Sequence, residues 1–242
     1  MPETPIILNQ QRSIFNQYLT ELRDETLQKD RLRFRTNMSR AAEVLGYELS
    51  KHLAYEQRET NTPLGSCESF TLKEQPVLAT ILRAGLAMQE GLLRVFDKAD
   101  NAFVSAYRHH TSDNEFVIKI EYISTTDLTG RTLILLDPMI ATGQSMVLSH
   151  EALLQSGQPA RTLILSLIAS EQGLDYVQRH IPSAEIFLGA LDSELTAKSY
   201  IVPGLGDAGD LAFGKKSVDT EDLDEDDTDE PADNPHPTTD LD

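Results

Sequence analysis

The chain has 242 residues, with 39 Asp and Glu against 21 Lys and Arg and a formal net charge of -18. Twelve of the acids and none of the bases fall in residues 217–242, so the body before them holds 27 acids against 21 bases and is only mildly acidic. Without a run of Lys and Arg it lacks the footprint for nucleic acid or an anionic membrane, and its single cysteine, Cys67, excludes an internal disulfide and, alone, a zinc centre.

No apolar run nears the roughly 18 residues of a membrane span, and the opening residues lack a basic segment followed by an apolar one, so a cytoplasmic protein is expected. Apolar residues at Ile14, Tyr18 and Leu22, then at Leu45, Leu49 and Leu53, keep the helical period and predict two helices, over 14–22 and within 32–53. The stretch from Tyr55 to Phe70 turns at Pro63 and Gly65 and predicts a hairpin leading into the main sheet.

After Pro76 short aliphatic runs begin at Val77, Ala102, Thr132, Thr162 and Glu185, nearly continuous in the manner of parallel strands buried on both faces. Helical spacing separates them at Leu86 to Phe96, Ser145 to Gln155 and Gly173 to Arg179. The alternation predicts an α/β fold, a mostly parallel sheet flanked by helices, with ligands at the carboxyl ends of the strands. Polar residues from His109 followed by alternation through Ile123 predict a hairpin arm standing off the sheet. Residues 1–216 form the expected folded domain, and 217–242, almost devoid of apolar side chains, an acidic disordered tail.

The strongest local signal runs from Thr132 to Met146. A buried strand ends at Asp137, Pro138 favours extended geometry before it, and Ala141-Thr142-Gly143-Gln144-Ser145 opens a helix. Backbone N–H groups and two hydroxyls at a positive helix end can grip a phosphate while Asp137 accepts two ribose hydroxyls. No GK[ST] follows, so a Walker A loop is excluded. Gly204 to Gly209 spells GxGxxG without the βαβ setting of a dinucleotide site. His109 and His110 have no carboxylate spaced to orient them, and His52, His150, His180 and His236 lack ligand spacing.

The strand, acid and ATGxS order resembles the phosphoribosyl pyrophosphate (PRPP) loop of type I phosphoribosyltransferases, and its Asp-Pro-Met variant resembles uracil phosphoribosyltransferases. Ile81 to Met88 (ILRAGLAM), SAYR ending at Arg108, and Tyr200 to Gly214 (YIVPGLGDAGDLAFG) resemble further segments of that family in the same order. The resemblance implies that family's fold, with N-terminal helices, a protruding β-hairpin arm and a small C-terminal hood over the base. It implies transfer of ribose-5-phosphate from PRPP to uracil, giving UMP and pyrophosphate, with Arg83 and Arg108 on the pyrophosphate. Asp137, Pro138, Met139, Ile140, Ala141, Thr142, Gly143, Gln144 and Ser145 match the ribose-5-phosphate site. Ile201, Gly206, Asp207 and Ala208 match the uracil site, Asp207 also reaching PRPP. Magnesium is implied as cofactor, bound through PRPP and water with no protein cage. A homo-oligomer and a GTP effector are further partners the resemblance raises. Ala87, Gln144, Thr196 and Leu211 depart from the family pattern. Two other readings remain open from sequence: a regulatory protein sensing UMP or PRPP on the same fold, and a phosphoribosyltransferase for another base.

Overall fold

The computed structural model of the chain describes residues 4–110 and 116–215, and for 106–110 and 116–119 the backbone alone. In chain order the elements are β1 (Ile6–Ile7), α1 (Ile14–Arg23), α2 (Arg31–Ser50), β2 (Tyr55–Thr62), β3 (Gly65–Leu72), β4 (Val77–Leu82), α3 (Leu86–Val95), β5 (Asp100–His110) and β6 (Phe116–Ser124). There follow β7 (Thr132–Leu136), β8 (Met139–Ile140), α4 (Gln144–Leu153), β9 (Arg161–Ser170), α5 (Glu171–His180), β10 (Glu185–Asp192), β11 (Glu194–Leu195), β12 (Ile201–Val202) and α6 (Ala208–Phe213).

The aliphatic runs assemble into one sheet in the order β1-β10-β9-β7-β4-β5-β6, with β8 added along the end of β9. Every neighbouring pair is parallel except β5 with β6. Side chains on adjacent strand positions face opposite ways, and the core divides accordingly. Ile134, Leu136, Leu163, Leu165 and Leu167 join Phe15, Leu22, Phe34, Met38, Leu45 and Leu92 from α1, α2 and α3. Leu133, Leu135 and Ile164 join Met146, Val147, Leu153 and Val177 from α4 and α5. Each fully buried Leu or Phe contributes on the order of 1.5–3 kcal/mol, so helices covering both faces hold the central strands' carboxyl ends in fixed register.

Both expected hairpins form. The Tyr55–Phe70 hairpin forms as β2 and β3, a two-stranded sheet of its own, and the chain runs on from it into β4 of the main sheet. β2 is exposed throughout, and of the apolar side chains on β3 Phe70 is exposed while Leu72, at the base of the ribbon, packs against the core. The hairpin around His109 is rooted in the sheet as its antiparallel edge, β5 and β6 pairing from Phe103↔Ser124 to His110↔Phe116 with a register shift at Ser105/Ala106, and beyond Ser105, the last β5 position opposite β4, the two strands pair only with each other among the described residues. Residues 111–115, at the tip of that arm, and the tail expected over 217–242 lie outside the described residues.

Candidate active site

Three segments meet at the carboxyl ends of the central strands: the turn after β4, the loop after β7, and the stretch from β12 through α6. The second begins with Asp137, whose N–H bonds to Leu165 O at 3.3 Å and whose carboxylate accepts only the Met139 N–H, at 3.4 Å, among the described residues. No cation pairs with it there. Enclosure among the strand ends pushes its carboxyl up to about 7, against the weak opposing pull of the Met139 N–H.

Beyond it, β8 runs parallel to the end of β9, Met139 opposite Ile168 and Ile140 opposite Ala169. Ser170, the next residue of β9, is fully buried; its hydroxyl donates to Ala141 O at 2.6 Å and accepts from Gly173 N–H at 2.8 Å as the N-cap of α5. Gly143 caps α4 at φ 81°, a left-handed conformation that favours glycine, and the first bond of α4 runs from Val147 N–H to Gly143 O at 3.1 Å. The N–H groups of Thr142 and Gly143 find no protein acceptor among the described residues, and those of Gln144, Ser145 and Met146 belong to the helix's unpaired first turn. Gln144 is exposed and Thr142 and Ser145 half-exposed. The result is a cradle of free donors at a positive helix end, with a carboxylate a few residues upstream.

Arg83 opens the turn after β4, the strand hydrogen-bonded to β7, with Thr80 opposite Leu136. Its guanidinium donates to Gly214 O at 3.3 Å and stands 3.6 Å from the Asp210 carboxylate, with the side chain still 39 % exposed. That loose pairing ties the turn to the end of α6 while leaving donors of the planar fork free. Behind it the turn is packed tightly: an ideal Cβ on Gly85 would lie 2.8 Å from Ile81 O and 3.3 Å from Leu136 O.

The third segment forms a small cover. β11 and β12 pair antiparallel outside the main sheet. Ile201 and Ala208 are buried, Gly206 (φ 85°) and Asp207 exposed, and the Asp207 carboxylate caps α6 by accepting the Asp210 N–H at 2.9 Å. The GxGxxG stretch here follows a strand of two residues in a separate hairpin, so it has no βαβ unit around it. Thr196 closes the β11–β12 turn, its hydroxyl accepting the Tyr200 N–H at 3.1 Å. Leu211 packs against the core as a half-buried side chain and Ala87 is buried within it.

The structure therefore draws Arg83, the 137–145 loop and the 201–208 segment to one end of the sheet. Arg108 lies farther along β5, its backbone opposite Ile118; its side chain, like those of His109 and His110, is outside the described residues. Three supporting residues escaped sequence reasoning. Arg23 clamps Asp192, at the tip of β10, through two bonds of 2.9 and 2.8 Å, and Asp192 also accepts the Gly204 N–H at 3.0 Å. Arg35 donates to Ala212 O at 2.7 Å. These contacts pin the cover from the N-terminal helices. An acid at a strand tip was the available signal for Asp192; the arginines sit in ordinary helices and gave none.

Among the described residues no cluster of three or more His, Cys, Asp or Glu could hold a metal ion, and no helix is long and apolar enough to cross a membrane.

A family model described as uracil phosphoribosyltransferase matches residues 9–215. A uracil phosphoribosyltransferase of Porphyromonas gingivalis is 49% identical over 212 residues, which cover 87% of this chain and 98% of that protein. One from Pyrococcus furiosus is 38% identical over 200 residues, covering 81% and 84%. A solved protein of Aquifex aeolicus superposes with a TM-score of 0.78 at 28% sequence identity, covering 89% of this chain and all of that one.

Proposed function

Because the chain belongs to the uracil phosphoribosyltransferase family, a family of pentosyltransferases, we propose a division of labour among its residues for moving ribose-5-phosphate from PRPP to uracil, a step of pyrimidine salvage. The bond between the ribose anomeric carbon and the pyrophosphate oxygen breaks, a bond from that carbon to N1 of uracil forms, and the N1 proton leaves. The observation that carries the assignment is the Asp137–Ser145 segment, with a carboxylate and a row of unpaired N–H donors on one loop, beside the turn of Arg83.

In this reading the N–H groups of Thr142, Gly143, Gln144 and Ser145, with the Thr142 and Ser145 hydroxyls, hold the 5′-phosphate. Pro138, Met139 and Ile140 carry the loop from the strand tip to that cradle. Asp137 accepts the ribose hydroxyls and, ionised, favours the positive charge that develops on the sugar as the leaving group departs. Arg83 and Arg108 grip the pyrophosphate through planar forks, which match phosphate geometry better than a point charge. Ile201, Gly206, Asp207 and Ala208 present backbone N–H and C=O groups to uracil, and a rigid donor facing O4 leaves the amine of cytosine unpaired at a cost of about 1–3 kcal/mol.

Magnesium fits this donor set as a companion of PRPP, since hard carboxylate oxygens at Asp137 and Asp207 suit water-mediated contact better than a protein cage. When bound it neutralises charge on the pyrophosphate. The catalytic unit is residues 1–216, a boundary supported by the family match ending at 215. The proposal extends to a homo-oligomer and to a GTP effector, and to cytoplasmic residence, which the single unpaired cysteine, Cys67, supports.

The test supplies PRPP and Mg²⁺ with uracil, cytosine, orotate, hypoxanthine or xanthine and measures pyrophosphate release. Release with uracil alone is expected. Release with a purine and not with uracil would overturn the base assignment, and retention of an RNA with no release at all would favour a regulatory role.

A further inference from the structure

The loop from Ala141 to Gly143 lies against the first turn of α5, and at Gly173 the contact is backbone on backbone, with the Tyr176 and Val177 side chains closing in beside Gly143. An ideal Cβ on Gly173 would fall 2.3 Å from Ala141 O and 2.7 Å from Ile140 O, and one on Gly143 would fall 2.7 Å from Gly173 O. Two backbones touch there because both positions are glycine. Across that contact runs the Ser170 hydroxyl, donating to Ala141 O and accepting from Gly173 N–H. It takes over where the β8–β9 ladder stops, at Ile140↔Ala169.

The direction of that bond matters. In a trans peptide the C=O and the following N–H point opposite ways, so pulling Ala141 O toward α5 turns the Thr142 N–H away from α5. It also removes a partial negative charge from the face where an anion has to sit. We propose that Ser170 is a positioning residue for the 5′-phosphate: it anchors Ala141 O on α5 and so aims the loop's N–H groups at the phosphate, with Gly173 keeping the space that makes the anchor reachable. The inference rests on assigning Asp137–Ser145 to the ribose-5-phosphate. Ser170 itself touches no substrate.

The ligands separate this role from a merely structural one. PRPP and UMP both carry the 5′-phosphate; uracil and pyrophosphate do not. Ser170→Ala should raise the KM for PRPP and the inhibition constant of UMP by a common factor of about tenfold, on the scale of one charge-assisted hydrogen bond set out of line, with the KM for uracil and the inhibition constant of pyrophosphate within twofold of wild type. Since Ser170 also caps α5, Gly173→Ala provides a second arm. It keeps the hydroxyl and introduces a better helix former, yet its methyl must displace Ala141 O, and it should give the same split between ligands. An equal change for all four ligands, or none for PRPP and UMP, in both variants would overturn the proposal. Ser145→Ala, within the loop, separates the two failures. If it weakens PRPP and UMP while the Ser170 and Gly173 variants do not, only the positioning role falls; if it spares both ligands, the phosphate assignment falls as well.

Discussion

Replacing Asp137 with Asn should make the protein more stable and nearly inactive at the same pH. The carboxylate is enclosed at the end of β7, has no cationic partner among the described residues, and accepts one N–H at 3.4 Å. Its folded pKa is about 7 against an ordinary 3.8, so the native state keeps a proton that the unfolded chain has already shed. The sign follows: below about pH 4 both states are protonated and the group is neutral in its effect on folding, while between pH 4 and 7 stability falls as pH rises. Above pH 7 the charged form is present in both, and holding it enclosed costs a ceiling of about 4 kcal/mol. Partial exposure of Asp137 to solvent brings this to about 1–2 kcal/mol.

Asn keeps the shape without the charge. Melting temperatures of wild type and Asp137→Asn, measured from pH 3.5 to 8.5, should coincide at the acid end and diverge by about 3–6 °C in favour of the variant above pH 7.5, for a domain of this size. Over the same range turnover of the variant should lie at least about 100-fold below wild type. Wild-type kcat/KM for PRPP should rise toward a plateau as Asp137 ionises near pH 7, and the variant should lack that limb. A difference in melting temperature that ignores pH, or a wild type more stable at pH 8, would refute the claim that an unpaired enclosed carboxylate is maintained for the reaction at a cost to the fold.

Arg83→Ala should raise the KM for PRPP about 10- to 100-fold in steady-state kinetics, with a melting temperature close to wild type, because its contact with Asp210 is long and half-exposed. Arg23→Ala should act on folding and on the base together: it leaves Asp192, only 8% exposed, with the Gly204 N–H as its remaining bond. A loss of about 2–4 kcal/mol in urea unfolding and a larger rise in KM for uracil than for PRPP are expected. Deleting residues 217–242 should leave uracil turnover within twofold of the full chain, and loss of activity would place the domain boundary elsewhere.

How much of this was legible in the sequence depended on how local its cause was. β4 and β7 fall on Val77–Leu82 and Thr132–Leu136, as their aliphatic runs predict, because a strand buried on both faces excludes polar residues along its length. α6 went unread, since Ala208–Phe213 is one short helix behind a glycine-rich approach, and its Asp207 cap looks like one more turn residue. β1, two residues long, carries no period to detect. The hairpin was visible but its pairing into a sheet of its own was not, because turn and strand signals do not say which strands pair. At the candidate site, the loop chemistry could be read from adjacent residues, whereas the clamp of Arg23 on Asp192 and the tie of Ser170 to Ala141 join positions far apart in the chain, which no spacing rule encodes.

The free-standing ribbon of β2 and β3 carries Cys67, opposite Thr60 and exposed, and this is the chain's single thiol. A maleimide dye or spin label therefore attaches at one place without any engineered substitution, at the third pair from the turn of a two-stranded element that also bears exposed Leu64 and Phe70. The protein thus brings its own reporter: signal from that label follows the ribbon's motion and its shielding from solvent as protein concentration is raised, while the candidate site at the carboxyl ends of the strands stays chemically untouched.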